Sequence, residues 1–173
     1  MTNSNLEKAL FEVLSNHTPE SIEHLDPNEI FVFGSNKAGH HAGGAAKLAL
    51  DKFGAIYGQG EGLQGQTYAL PTLDENLQKL SKAELQRSFE NFLQVVEENF
   101  ELDFFLTKVG TGIAGYSIEE VKEVFYKAIK NVGCTANGYG GCPPINLFIP
   151  KEFGLKNDES IDDYLSSFNT SNS

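Results

Sequence analysis

Short apolar runs alternate along this chain with longer segments of helical periodicity. The apolar runs have the length of buried strands and cover residues 30–33, 67–72, 102–109 and 145–149. Apolar side chains at every third or fourth position predict helices over residues 5–15, 44–53, 81–100 and 117–129, and one or two further turns at residues 161–168. Strands that alternate with helices are typical of an α/β protein with a largely parallel sheet.

Two of these helices begin with a capping signature. Ser81 is followed three residues later by Glu84, and Ser117 is followed in the same way by Glu120. In a capping box the serine hydroxyl and the acidic side chain each accept a hydrogen bond from the other residue's backbone N–H. The helices are therefore expected to start at these serines.

Glycine-rich segments follow two of the predicted strands and lead into helices. They cover residues 34–44 and 110–116. The first backbone N–H groups of a helix have no internal partner and carry the positive end of the helix dipole, so a phosphate can bind there. We expect Gly34, Gly39, Gly43 and Gly44 to allow positive φ and close approach of a ligand. Because the carboxyl ends of parallel strands lie at one edge, both segments should face one crevice.

A third glycine-rich segment, at residues 57–66, precedes a strand instead of following one. The dinucleotide-binding fingerprint GxGxxG needs a strand before it and a helix after it, and here the strand at residues 67–72 comes next. The pattern therefore excludes that fingerprint. It predicts an exposed loop against which a ligand or a neighbouring loop could lie.

Composition bounds the size and the partners of the protein. The 173 residues, 40% of them apolar, suit one domain, which we place at residues 1–168 with a frayed tail at residues 169–173. The 13 basic and 24 acidic residues give a net charge of −11, which argues against duplex nucleic acid as a partner. A small anion remains possible because backbone N–H groups can hold a phosphate without cationic side chains. The oligomeric state stays open.

Cysteine, histidine and apolar content point to a cytoplasmic protein without a metal, a cofactor or a membrane segment. Cys134 and Cys142 have no second pair to complete a zinc site, and reduced thiols are favoured over a bridge. The four histidines show no ligand spacing. No signal peptide is evident, and no run of 18 apolar residues occurs.

In its loops the sequence resembles a macro domain, over about residues 20–150. Residues 110–116, Gly-Thr-Gly-Ile-Ala-Gly-Tyr, match the family's phosphate loop position by position. The family's strand end, glycine run and helix start are similar to Gly34-Ser35-Asn36, Gly39 and Gly44-Ala45-Ala46, and its Leu-Pro strand is similar to Tyr68-Ala69-Leu70-Pro71. The resemblance implies a three-layer α/β/α fold with a mixed, largely parallel central sheet.

ADP-ribose or a related nucleotide is the ligand that this resemblance implies. Residues 110–116 would wrap the diphosphate, and Asn36 would face the distal ribose. The predicted ligand-binding residues are Gly34, Ser35, Asn36, Gly39, Gly43, Gly44, Gly62, Gly110, Thr111, Gly112, Ile113, Ala114, Gly115 and Tyr116. An asparagine at a strand end could instead satisfy only backbone groups of a turn.

Two departures from the family bear on the chemistry. Gly43 stands where hydrolytic members often carry an aspartate, and the adenine-contacting aspartate aligns with Glu20-Ser21-Ile22 only with an offset of one residue. Both the acidic catalyst and the identity of the base therefore stay open.

Three functions remain as alternatives. In the first, a hydrolase cleaves an ADP-ribosyl ester or phosphate, with His40, His41 or Glu61 as acid or base, although each could equally be a solvated loop side chain. In the second, the protein reads ADP-ribose or another nucleotide without catalysis, as the missing aspartate favours. The third is a Rossmann-like protein that acts on another nucleotide or nucleotide-sugar, against which the strand after Gly65 argues.

Overall fold

The computed structural model describes residues 3–135 and 146–169 and contains one mixed sheet between helices. The described helices are α1 (Asn3–Ser15), α2 (Gly44–Lys52), α3 (Lys82–Glu98), α4 (Ile118–Thr135) and α5 (Ile161–Asn169), with a 3-10 helix at Lys151–Phe153. The strands are β1 (Glu29–Asn36), β2 (Gly62–Gln64), β3 (Thr67–Leu73), β4 (Asp103–Leu106) and β5 (Leu147–Phe148).

The sheet is parallel except at one edge. Its strand order is β2-β3-β1-β4-β5, with β1 parallel to both β3 and β4, and β5 parallel to β4. Only β2 runs antiparallel to its neighbour, β3. The predicted fold class, an α/β protein with a mixed, largely parallel central sheet, is confirmed.

Alternate residues of the central strand β1 enter two separate cores, which is why the sheet is covered on both faces. Ile30 and Val32 belong to the larger core with apolar residues of α1, α3, α4 and α5. Phe31 and Phe33 point the other way and pack with residues of α2. Successive side chains of a strand alternate between faces, so the four residues 30–33 of β1 are all apolar. The result is three layers.

Local signals placed most of the helix boundaries correctly. Both predicted capping boxes form, at Ser81 with Glu84 and at Ser117 with Glu120. The predicted apolar docking of the last helix is also found, because Tyr164 is fully buried beside Ile161, Leu165 and Phe168. The segment begins with a third capping box, in which Ser160 and Asp163 exchange hydrogen bonds.

Three strand predictions need correction. β4 ends at Leu106 rather than Val109, because the Val109 N–H donates to the Thr107 carbonyl at 2.7 Å and turns the chain out of the sheet. Residues 62–64 were expected in an exposed loop but form β2, with Leu63 opposite Tyr68. The last strand is only Leu147–Phe148, with an isolated bridge between His17 and Ile149.

Some predictions concern residues outside the described part of the chain. These are the start of the last strand at position 145, the Cys142 thiol, the side chain of Cys134, and residues 170–173 of the predicted tail. The first residue of the predicted tail, Asn169, is described and is the last residue of α5. Across residues 3–135 and 146–169, no helix has both the length and the apolarity needed to cross a membrane.

Candidate functional site

A cleft of about 410 Å³ lies at the carboxyl edge of the parallel strands. The segments that follow β1, β3 and β4 form it, as expected where neighbouring parallel strands end together. Its lining residues are Gly34, Ser35, Asn36, His40, Ala42, Gly43, Gly44, Ala45, Ala46, Thr72, Leu73, Leu77, Thr107, Lys108, Val109, Gly110, Gly112, Ile113 and Ala114. The two glycine segments predicted to face one crevice therefore do so.

Thirteen of the described glycines, all but Gly133 of α4, fall into three groups according to why they lack a side chain. Eight have positive φ, a conformation that favours glycine. Gly60 and Gly154 have ordinary φ, but a Cβ atom would come within 2.5 Å of backbone atoms. Neither reason applies to Gly34, Gly43 and Gly112, where a Cβ atom would meet ordinary contacts or open space.

All three of these glycines line the cleft. The protein's own packing does not require them, so the space that a side chain would fill is left open inside the cleft. Our expectation that Gly34 and Gly43 have positive φ is wrong, because Gly34 continues β1 and Gly43 is extended with φ −157°. Gly39 and Gly44 do have positive φ, at 74° and 57°.

The amino end of α2 points its backbone at the cleft without a cap. Its N-cap residue is Gly43, and no side chain accepts a hydrogen bond from the first turn. Gly44, Ala45 and Ala46 line the cleft, and their N–H groups donate to no acceptor within the described residues. Such N–H groups carry the partial positive charge of the helix and suit an anion.

The segment after β4 supplies a second set of free amides. Tyr116 N–H donates to the Gly110 carbonyl at 2.9 Å and Gly115 N–H to the Gly112 carbonyl at 3.0 Å, which folds the loop back on itself. Between these bonds, the N–H groups of Gly112, Ile113 and Ala114 have no acceptor among residues 3–135 and 146–169. This turn faces the same cleft.

The side chains of the cleft carry little charge. His40 and Lys108 are the ionisable side chains in its lining, and the described residues contribute no carboxylate there. In a protein with a net charge of −11, this is a local departure from the acidic average. Backbone donors and one lysine are groups that bind an anion, and no carboxylate belongs to the described lining itself.

Asn36 lines the cleft, and its amide holds the backbone of the following turn. Its Oδ1 accepts from the His40 N–H at 3.0 Å, and its Nδ2 donates to the His40 carbonyl at 2.9 Å. The His40 ring is exposed and stacks on Tyr57, with the ring centres 5.4 Å apart. Asn36 thus fills the turn role that we weighed as the alternative, and it also fixes the position of His40 at the cleft.

His41 is not part of the cleft lining. Its ring is only 1% exposed, and it lies edge-on to Phe33 at 5.0 Å between centroids. Its Nε2 is 3.3 Å from Oε1 of Gln64, while its Nδ1 has no hydrogen-bond partner among the described residues. A structural position beneath the loop therefore replaces the expected catalytic position at the cleft.

The middle glycine segment supports the cleft from behind. Gly60 packs against the backbone of Asn36 and Lys37, and the Ser35 hydroxyl donates to the Gly60 carbonyl at 2.5 Å. A Cβ atom on Gly39 would lie 2.4 Å from the Gly58 carbonyl carbon, so the two loops touch. This contact matches the alternative that a neighbouring loop lies against the segment.

Other predicted site residues also lie away from the cleft. Glu61 lines a separate polar cavity of about 630 Å³ beside Lys37, Glu84 and Arg87. Tyr116 belongs to the larger core; burial raises the pKa of its phenol, which donates to the Leu80 carbonyl. Gly39, Gly62, Thr111 and Gly115 are likewise absent from the lining.

Sequence reasoning missed the contributions of Thr72, Leu73 and Leu77, and of Thr107 and Lys108. Thr72 and Leu73 end β3 and Leu77 follows it, while Thr107 and Lys108 follow β4. Our site prediction concentrated on glycine-rich segments and passed over other residues at the same strand ends. Applying the strand-end rule to β3 as well would have found Thr72 and Leu73.

A second cavity of about 400 Å³ adjoins the cleft. The two share Thr107 and Lys108. Two ion pairs border the second cavity, Lys151 with Glu20 and Lys108 with Glu152, the latter at 3.2 Å. Lys108 therefore borders both cavities, and its ammonium group is paired with a residue of the second.

Within the described residues, no group of three or more histidine, cysteine, aspartate or glutamate side chains is arranged to hold a metal ion.

Comparison of the chain with protein-family models, curated proteins and solved structures gives no match.

Proposed function

We propose that the cleft binds a phosphate-bearing small molecule, ADP-ribose or a related nucleotide diphosphate. The observation that carries this proposal is the set of Gly34, Gly43 and Gly112. Neither backbone conformation nor packing accounts for these glycines, and all three line the cleft. A ligand that lies against the main chain is a physical reason for each of them.

Two groups of backbone donors would hold the diphosphate. The N–H groups of Gly44, Ala45 and Ala46 lie on one side, and those of Gly112, Ile113 and Ala114 on the other. Local donors of this kind bind an anion even though the whole protein is acidic. The choice of ADP-ribose rests on the resemblance of residues 110–116 to the phosphate loop of macro domains.

Calorimetric titration with ADP-ribose, alongside chemical unfolding, tests the proposal. In Gly34→Ala the added methyl group makes only contacts of 3.6 Å or more, so the free energy of unfolding should change by less than about 1 kcal/mol. Because Gly34 lines the cleft, the same methyl group takes space beside the ligand, and we expect the Kd for ADP-ribose to rise about tenfold or more.

Gly54→Ala is the control, since Gly54 has φ 86°, lies beyond the carboxyl end of α2 and does not line the cleft. It should lose about 1 kcal/mol of stability from backbone strain and keep the wild-type Kd. Wild-type affinity in Gly34→Ala, or no binding of ADP-ribose, ADP or pyrophosphate by the wild type, contradicts the proposal.

His40 favours a second candidate function, hydrolysis of an ADP-ribosyl ester or phosphate. It is the one imidazole among the described lining residues, and Asn36 and Tyr57 hold its backbone and its ring. An imidazole titrates near neutral pH and can act as acid or base.

Single-turnover cleavage of an ADP-ribosylated peptide would separate a hydrolase from a reader. His40→Gln should slow release of ADP-ribose about 100-fold or more if His40 transfers a proton. His24→Gln, at an exposed site outside the cleft, is the control and should retain the wild-type rate. If the wild type binds ADP-ribose but releases none from the peptide, the result supports the reader function and contradicts the hydrolase function.

A further inference from the structure

The lysine of the cleft lining already has a partner inside the protein. Lys108 Nζ lies 3.2 Å from Glu152 Oε1. Lys108 belongs to the segment after β4, and Glu152 to the 3-10 helix after β5, so the pair joins the ends of two neighbouring strands. Lys108 lines both cavities and its ammonium group is already paired with Glu152, so an anion in the cleft that is to use this ammonium group must compete with the Glu152 carboxylate.

Glu152 is well placed to remain ionised at neutral pH. Partial burial raises the pKa of its carboxyl, but hydrogen bonding to its own backbone amide and to Lys108 outweighs burial, and the pKa lies below the usual value. Glu152 is the less exposed partner, with 29% of its side chain accessible against 56% for Lys108. Glu152 lines the second cavity, which shares Lys108 with the cleft, so its carboxylate keeps a negative charge beside Lys108.

We propose that Glu152 is a specificity-determining residue that weakens the binding of anions in the cleft by holding Lys108 and by repelling negative charge. This inference rests on the proposed binding of a phosphate-bearing ligand. A ligand whose phosphates reach the backbone N–H groups is accepted, whereas an anion that depends on Lys108 is disfavoured. Glu152 thus favours ligands that fit the glycine cradle over those that offer only negative charge.

Calorimetric titration of ADP-ribose and of inorganic pyrophosphate into four variants tests the inference. Glu152→Gln should bind both ligands about threefold to tenfold more tightly than the wild type, with the larger gain for pyrophosphate, which has fewer other contacts. Lys108→Met should weaken binding. In the double variant Glu152→Gln/Lys108→Met the gain from the glutamine should be at least halved, because the competition for Lys108 is gone.

Glu20→Gln is the matched control. It removes one negative charge from the border of the same second cavity, but its partner is Lys151, which does not line the cleft. Its Kd for pyrophosphate, which carries no base, should change less than twofold. Circular dichroism of each variant checks that the fold is retained.

Three results would overturn the inference while the proposed function stands. They are a Glu152→Gln affinity equal to or weaker than wild type, equal gains for pyrophosphate from Glu152→Gln and Glu20→Gln, or an undiminished gain in the Lys108→Met background. If neither wild type nor Glu152→Gln binds either ligand, the proposed function fails together with the inference.

Discussion

At the scale of single residues, Gln64 organises the wall behind the cleft. Its Oε1 accepts from the Ile56 N–H at 2.6 Å and lies 3.3 Å from His41 Nε2, while its Nε2 donates to the carbonyls of Gln59 and Gly62. The Ile56 donor identifies the amide oxygen, which can accept from His41 in the tautomer that has its hydrogen on Nε2. The side chain is 3% exposed, and its hydrogen bonds are therefore difficult for water to replace.

Gln64→Leu should destabilise the protein by about 2–4 kcal/mol, because it leaves several buried polar groups without partners. Urea unfolding measures the loss. Gln94→Leu, at an exposed position of α3, serves as the control and should change stability by less than about 1 kcal/mol. A loss below about 1 kcal/mol in Gln64→Leu would show that this network does not support the loop.

At the scale of elements, the helices differ in whether a side chain caps their amino end. α3 and α4 begin with serine capping boxes, and Ser160 and Asp163 form another at the start of α5. In contrast, α2 begins at glycines with its first N–H groups unpaired beside the cleft. A cap stabilises a helix by satisfying the same donors that α2 leaves available to a ligand.

The capping boxes predict how stability depends on pH. Hydrogen bonds from Ser81 lower the pKa of Glu84, and the Ser117 amide does so for Glu120, both from 4.5. A carboxyl with a lower pKa in the folded state stabilises it above pH 4.5, and this contribution is lost as pH falls through the folded-state value.

Urea unfolding between pH 6.5 and pH 3 tests this dependence. Glu84→Gln and Glu120→Gln should each lose less stability than the wild type across this range, since an amide oxygen still accepts the serine N–H but does not ionise. Glu97→Gln, elsewhere on α3, should follow the wild-type curve. A wild-type curve in all three variants would show that the boxes contribute nothing to the pH dependence.

At the scale of the whole molecule, the sheet places a weakly charged cleft in an acidic protein. The net charge of the protein is −11, but the described lining of the cleft contains no carboxylate. Three parallel strands, β3, β1 and β4, end at the same edge of the sheet. Their last residues and the segments that follow them line the cleft. The electrostatics that a ligand meets are therefore those of backbone N–H groups and of Lys108 with its partner Glu152, rather than those of the average surface.

The sequence by itself determined the features that depend on neighbouring residues. Apolar spacing placed α1, α3 and α4, and the Ser81 and Ser117 boxes placed two helix starts, because their hydrogen bonds join residues three positions apart. The rule for parallel strand ends was enough to bring residues 34–44 and 110–116 to one cleft.

Only the tertiary structure decided which side chains reach that cleft. His40 and His41 are adjacent, yet one is exposed and the other buried against Gln64, 23 positions later. A Cβ atom on Gly39 would lie 2.4 Å from the Gly58 backbone, whereas one on Gly43 would meet no described atom within 4 Å. Lys108, which follows β4, pairs with Glu152, which follows β5. These outcomes depend on the order and spacing of strands in the sheet, which bring distant residues together and leave no local signal in the chain.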